Sequence, residues 1–256
     1  MKIYKLLNID FRKSELICFV GAGGKTTTLF KLAEELKSLN KKVLATTTTS
    51  IYCPVKDDYD ELIIDNCDKI IECLYKVKKA AVTVIGKGVS KENKLLGIDR
   101  EIVQEIHDRK FFDYTLVEGD GSRRKPIKSP ASYEPVIPCN TDKVVGVIGL
   151  DSLGKKINEE NVHRPQIFCR ATGSKIEEVI NEETIFKLII NEAGLFKDVP
   201  SRCKKYVFLN KIENEETKNS GYLIKDLIVK SGLKVAGIIG TSMINGRLIF
   251  NWSDRD

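Results

Sequence analysis

FVGAGGKTTTLF, residues 19–30, is the stretch whose reading decides the fold. The β-branched run LICFV (16–20) leads into it, and Leu29, Leu32, Ala33, Leu36 and Leu39 then recur on one face of a helix that Asn40 is expected to end. Strand, glycine turn and amphipathic helix in immediate succession predict an anion nest. Gly21, Gly23 and Gly24 admit positive φ, so the amides around Ala22 turn inward where the helix dipole adds to them. Lys25 is then placed for the β- and γ-phosphates of a nucleotide, the Thr26 hydroxyl for Mg²⁺, and Thr27 for the first helical turn. The full G-x-x-x-x-G-K-[ST] pattern asks for a small residue at position 19, where Phe stands. That position belongs to the incoming strand, so no phosphate contact goes with it.

Working outward, further short apolar runs alternate with helical patterns: KVLAT (42–46), AVTVI (81–85), YTLVE (114–118), KVVGVIGL (143–150), KYVFL (205–209) and VAGII (235–239). Strand and helix in alternation predict an α/β fold, a doubly wound, mostly parallel sheet of the P-loop NTPase type. Ligands are then expected beyond the carboxyl ends of the strands. Ile70, Ile71, Leu74 and Val77 mark a second helix, and Gly232 closes one that carries Leu223 and Leu227. Ser174 with Glu177 has capping-box spacing and predicts a helix start. The turn residues between Gly86 and Gly97 predict a hairpin. The reading is one domain, 1–256, with 150–204 as a candidate helical subdomain.

Composition narrows the function classes. With 256 residues, 42% hydrophobic and 30% charged, the chain is long and apolar enough for a full core. A net charge of +6 suits anionic ligands, and no basic face interleaved with aromatics argues for nucleic acid. Seven scattered cysteines without a Cys-x-x-Cys pair fit a reducing, cytoplasmic location. No apolar run approaches the ~20 residues that cross a bilayer, so no membrane partner is expected.

Polar groups cluster where strands end. TTTTSIY follows the second strand and nominates Thr47, among four adjacent threonines, as a metal or phosphate ligand. LVEGDGSRRKPIK ends a strand in Glu118 and Asp120, which point the same way if extended and are placed for Mg²⁺ or an attacking water. Arg123, Arg124, Lys125 and Lys128 follow, and Arg123 leads the candidates for offsetting charge on a transferred phosphoryl group. GLDSLGKKINEENVHRP adds Asp151, His163 and Arg164. His107, in a charged helix, reads as surface. VFLNKIE resembles the Asn-Lys-x-Asp signature that reads guanine. Glu213 is one methylene longer than that carboxylate, so Asn210 and Lys211 are nominated for a base pocket and the choice of ATP or GTP stays open.

Two resemblances go with these motifs. Gly21 to Thr27 is similar to the loop of Mur-type peptide ligases, which also lacks the leading glycine. FVGAGGKTT, TTTTSIY, LVEGDGSRRKPIKSP, EPVIP, VVGVIGLDSLGKKINEENVHRP and FLNKIE stand in the order seen in the YqeC family, accessory proteins for selenium-dependent molybdenum hydroxylases. The resemblance spans about 16–240 and departs from the family at Gly119, where Ala is usual, and Glu213. It implies a cytosolic nucleotide-binding protein, with Mg²⁺ and ATP or GTP, that partners a molybdenum hydroxylase or its maturation proteins. An NTPase, a kinase-like enzyme that activates a small acid, and a nucleotide-gated chaperone without turnover are the three functions carried forward.

Overall fold

The computed structural model describes residues 1–65, 67–75, 77 and 80–254, the side chains of Cys67, Asp68 and Lys69 aside. In chain order the strands are β1 (Glu15–Gly21), β2 (Val43–Thr47), β3 (Ser50–Tyr52), β4 (Glu61–Ile64), β5 (Val82–Gly86), β6 (Gly88–Val89) and β7 (Lys94–Leu96). They continue with β8 (Tyr114–Glu118), β9 (Ile127–Lys128), β10 (Lys143–Gly149), β11 (Val162–His163), β12 (Lys204–Asn210), β13 (Gly237–Ser242) and β14 (Arg247–Ser253). The helices are α1 (Ile3–Leu6), α2 (Lys25–Lys37), α3 (Cys67–Leu74), α4 (Arg100–Asp108), α5 (Pro165–Thr172), α6 (Glu182–Ile190) and α7 (Glu215–Lys230).

β1 is buried along its whole length and divides its side chains between two cores. Leu16, Cys18 and Val20 enter one, Ile17 and Phe19 the other. A strand covered on both faces needs an unbroken apolar run, which is why LICFV shows no polar alternation. One sheet has the order β14-β13-β12-β10-β1-β8-β2-β5-β4, parallel throughout except for β13 with β14. The fold is therefore the doubly wound α/β sheet of the P-loop NTPase type that the sequence predicts. β1 lies between two strands that come later in the chain, so a crevice opens at its carboxyl end.

α2 buries Leu29, Leu32, Ala33 and Leu36 against the core on the Phe19 side. The helix stops at Lys37, and Leu39 beyond it is exposed. α7 ends at Lys230, capped by Ser231 with Gly232 at φ 72, and it turns Ile224 and Ile228 inward while Leu223 faces out. Ile70 and Leu74 of α3 are buried, and Val77 packs against the same core just past the helix. β6 and β7 form the expected antiparallel hairpin, to which β3 adds a third strand. The 150–204 segment carries α5 and α6, whose Phe168, Ile185, Leu188 and Ile189 enter the same core as Val144 and Val207.

Two sequence expectations fail. No helix begins at Ser174: Glu177 has φ 68, which a third helical residue cannot hold, and the Lys175 amide donates to the Glu178 carboxylate at 2.8 Å to close a turn. α6 starts later, capped by Asn181, which accepts from the Thr184 amide at 2.9 Å. His107 is not at the surface but packs toward Asp142 with 11% of its side chain exposed. Cys18 and Cys203 are buried free thiols, and Cys139 is an exposed one. The thiol of Cys67 lies outside the described residues. No described helix is long and apolar enough to cross a membrane.

Candidate nucleotide site

The glycine turn is fixed by geometry no other residue allows. A Cβ on Gly23 would stand 2.3 Å from the Gly149 amide, and one on Gly24, whose φ is 131, would stand 2.3 Å from Asn210 Nδ2. Three hydrogen bonds pin the turn: Ala22 N–H to Val147 O at 2.8 Å, Gly21 N–H to Asp120 Oδ2 at 3.1 Å, and Asn210 Nδ2 to Gly23 O at 2.8 Å. Among the described residues the amides of Gly23 and Gly24 meet no backbone acceptor. α2 begins at once with Lys25, so its first-turn amides are also unpaired within the helix. These N–H groups and the positive end of the helix dipole converge on one concave spot, an anion nest.

Lys25 is buried beside that spot. Its ammonium donates to Gly21 O at 2.6 Å and lies 3.2 Å from Asp120 Oδ1 and 3.4 Å from Glu118 Oε1. Burial opposes its charge, but Asp120 and Glu118 outweigh burial and hold the ammonium above the ordinary lysine range. Burial pushes Glu118 the other way, up from the usual carboxylate value, against the pull of Lys25 and Thr26. The Thr26 hydroxyl donates to Glu118 Oε2 at 2.7 Å. Asp120 Oδ1 is buried and accepts no hydrogen bond among the described residues. One hydroxyl and two carboxylates thus meet at the nest, oxygen donors of the kind Mg²⁺ takes. No three His, Cys, Asp or Glu side chains of the described residues form a metal cage. That suits an ion held by one or two carboxylates together with phosphate oxygens.

A second set of residues is brought here by a pairing that local sequence does not signal. β9 and β11 run side by side, with Lys128 opposite His163. Lys128, fully buried, donates to Gly121 O at 2.7 Å and to Glu134 Oε2 at 2.6 Å, and lies 3.0 Å from Asp120 Oδ2. The Arg164 guanidinium closes on Glu134 and reaches the Tyr133 hydroxyl at 3.1 Å. Lys25, Asp120, Lys128, Glu134 and Arg164 therefore alternate in sign along one line. Although burial opposes its charge, Arg164 and Lys128 hold the Glu134 carboxyl down at about 2. Burial, with Arg164 and Lys128 adding to it, lowers His163 to about 4, so its imidazole is neutral at pH 7. A crevice of about 670 Å³ spans the whole arrangement, from Gly23 to Thr27 at one end to His163 and Arg164 at the other.

Some nominated residues take different places. Thr47 is fully buried and does not line the crevice; its hydroxyl donates to Glu118 O at 2.8 Å, accepts from the Thr49 amide and joins β2 to β8. Thr49 and Ser50 line the crevice instead. Asn210 braces the turn from beneath, its Oδ1 accepts from the Met243 amide at 2.9 Å, and it is buried away from the crevice lining. Lys211 does border the crevice, tied to Asp151 at 2.8 Å. Arg123 and Arg124 line the crevice and are exposed. Sequence reasoning missed Glu134 and Tyr133. The signal available was a lone acid between alanine and proline-rich apolar residues, in ASYEPVIP.

The family model described as YqeC protein matches residues 17–166. The YqeC protein of Escherichia coli (strain K12) is 32% identical over 213 residues, which cover 80% of this chain and 79% of that one. Among solved structures, the MinC:MinD cell division protein complex of Aquifex aeolicus aligns with a TM-score of 0.45 at 16% identity, over 89% of this chain and 81% of that one. Chloroplast FtsY from Physcomitrella patens aligns with a TM-score of 0.40 at 14% identity, over 92% of this chain and 65% of that one.

Proposed function

This chain belongs to the YqeC family, and from that premise we propose that it is an Mg²⁺-dependent nucleotide-binding protein that hydrolyses ATP or GTP in the maturation of a selenium-dependent molybdenum hydroxylase. The observation that carries the nucleotide part is the nest of amides at the start of α2, with Lys25, Thr26, Glu118 and Asp120 gathered around it. The order of motifs that resembles the hydroxylase accessory proteins supports the rest.

In this reading the amides from Gly23 to Thr27 hold the phosphate tail, since those of Gly21 and Ala22 are bonded to Asp120 and Val147. Lys25 exchanges its contact with Gly21 O for the β- and γ-phosphates. Thr26, Glu118 and Asp120 would hold Mg²⁺, which supplies charge neutralisation at the phosphate oxygens. Arg123, on the crevice wall, offsets charge gathered on the phosphoryl group as it transfers.

Melting-temperature shifts with ATP, GTP and CTP, with and without Mg²⁺, test the reading, since a ligand of the folded state raises apparent stability. Lys25→Ala should cost about 3 kcal/mol of nucleotide binding, roughly a hundredfold in affinity. A Lys25→Ala protein that keeps the parent affinity refutes the reading.

A further inference from the structure

The crevice runs beyond the phosphate nest, and its outer half is built unlike the inner one. Both carboxylates that line the crevice are already engaged, Glu118 by Thr26 and Lys25, Glu134 by Lys128 and Arg164. Three cations of the outer half, Lys94, Arg123 and Arg124, form no ion pair among the described residues. The Arg124 guanidinium sits 3.8 Å from the centre of the Tyr52 ring, and the Lys94 ammonium lies 5.9 Å from the same ring. Arg123 beside them makes no hydrogen bond or ion pair among the described residues. Cation–π attraction seats two of these charges on one aromatic ring without a counter-ion to cancel them. Like charges drawn together in this way create a local potential that favours an anion.

Two independent features point to the same place. His163 lines the crevice with 8% of its surface exposed, and its ring has no hydrogen-bond partner among the described residues. Arg123 and Arg124 have φ of 48 and 61, a backbone region that arginine rarely adopts and that gathers at functional sites.

We propose that the outer half of the crevice binds a small carboxylate, the acceptor of the γ-phosphoryl group, between the Arg124–Tyr52–Lys94 corner and His163. The proposal rests on the nucleotide reading above and names the second substrate of the same site. A carboxylate oxygen attacks the γ-phosphorus, and an O–P bond forms as the bond from phosphorus to the β,γ-bridging oxygen breaks. The electron pair leaves with the nucleoside diphosphate, no proton moves, and the product is an acyl phosphate. An alcohol or amine acceptor would have to lose a proton to a base. The outer half offers none that is free: Glu134 is held by Lys128 and Arg164, and His163 is a weak base at neutral pH. The neutral imidazole can still donate one N–H to a carboxylate. The planar guanidinium of Arg124 matches the two oxygens of that group.

The test uses the full chain saturated with Mg²⁺ and the non-hydrolysable β,γ-imido analogue of ATP, which fills the nest. Sodium acetate should then raise the melting temperature further and saturably, beyond equal concentrations of sodium chloride. In the Tyr52→Leu/Lys94→Ala variant the acetate midpoint should rise at least tenfold while the imido-ATP shift persists. With ATP and acetate, hydroxylamine should trap the acyl phosphate as a hydroxamate. If imido-ATP stabilises the protein and acetate does no more than chloride, the acceptor site is wrong and the nucleotide reading stands. Saturation by sulfate but not acetate overturns the choice of a carboxylate in favour of a tetrahedral oxyanion. If imido-ATP gives no shift in the parent, both readings fall together.

Discussion

Asn210→Ala asks whether the glycine turn is braced from below or whether this side chain reads a base. Asn210 is 3% exposed and both ends of its amide are engaged: Nδ2 donates to Gly23 O at 2.8 Å, and Oδ1 accepts from Met243 N–H at 2.9 Å and from the Thr241 hydroxyl at 3.2 Å. Alanine leaves the Gly23 carbonyl and the Met243 amide buried without partners, at about 1–3 kcal/mol each. The expected loss is therefore about 2–6 kcal/mol, and at ~2–4 °C per kcal/mol for a chain of this size the melting temperature falls by roughly 4–24 °C. Urea unfolding measures the loss as a lower midpoint at unchanged slope. Asn210→Asp keeps the acceptor but sets a carboxylate against the Gly23 carbonyl, and should damage nucleotide binding at least as much. Both variants should weaken ATP and GTP by the same factor. A variant within about 0.5 kcal/mol of the parent, or one that changes the preference between ATP and GTP, refutes the reasoning.

Three further outcomes follow from the site. The Glu134 carboxyl titrates at about 2 in the folded protein against an ordinary 4.5, so its contribution is complete above 4.5 and disappears as pH falls to about 2. Glu134→Gln should cost up to about 3 kcal/mol at pH 7, and its urea midpoint should converge with the parent's across that window. His163 should titrate in NMR near 4, not 6.5; between those values the unfolded chain takes up a proton that the folded one does not, so this residue lowers stability as pH falls, and Arg164→Ala should raise the midpoint. Thr47→Val should cost about 1 kcal/mol for its bond to Glu118 O and leave the Mg²⁺ dependence of nucleotide binding intact, whereas Thr26→Val should abolish that dependence.

What local sequence specifies was legible. Apolar runs without alternation announce strands covered on both faces, and the glycines before Lys25 announce a turn too tight for any side chain. The failures lie where distant segments compete with local preference. Ser174 and Glu177 have the spacing of a cap, but the isolated bridge between Lys156 and Val179 and the Ile157 amide bonded to Glu178 O tie the chain just beyond them to a distant segment. Thr47 sits at a strand end as expected, yet its neighbour β8 takes the hydroxyl. Asn210 fits the pattern of a base reader, and only the packing of β12 beneath the turn reveals it as a brace. Glu134 acquires meaning from Lys128 and Arg164, residues that the pairing of β9 with β11 carries to it.

The alternating line from Lys25 to Arg164 constrains how this protein can vary. Neutralising one interior member strands its neighbours: without Lys128, Asp120 and Glu134 would be two buried acids with a cation missing between them. Removing Lys128 and Glu134 together leaves Lys25, Asp120 and Arg164, which still alternate. Relatives that depart here should therefore do so in couples, and double substitutions should prove milder than either single change.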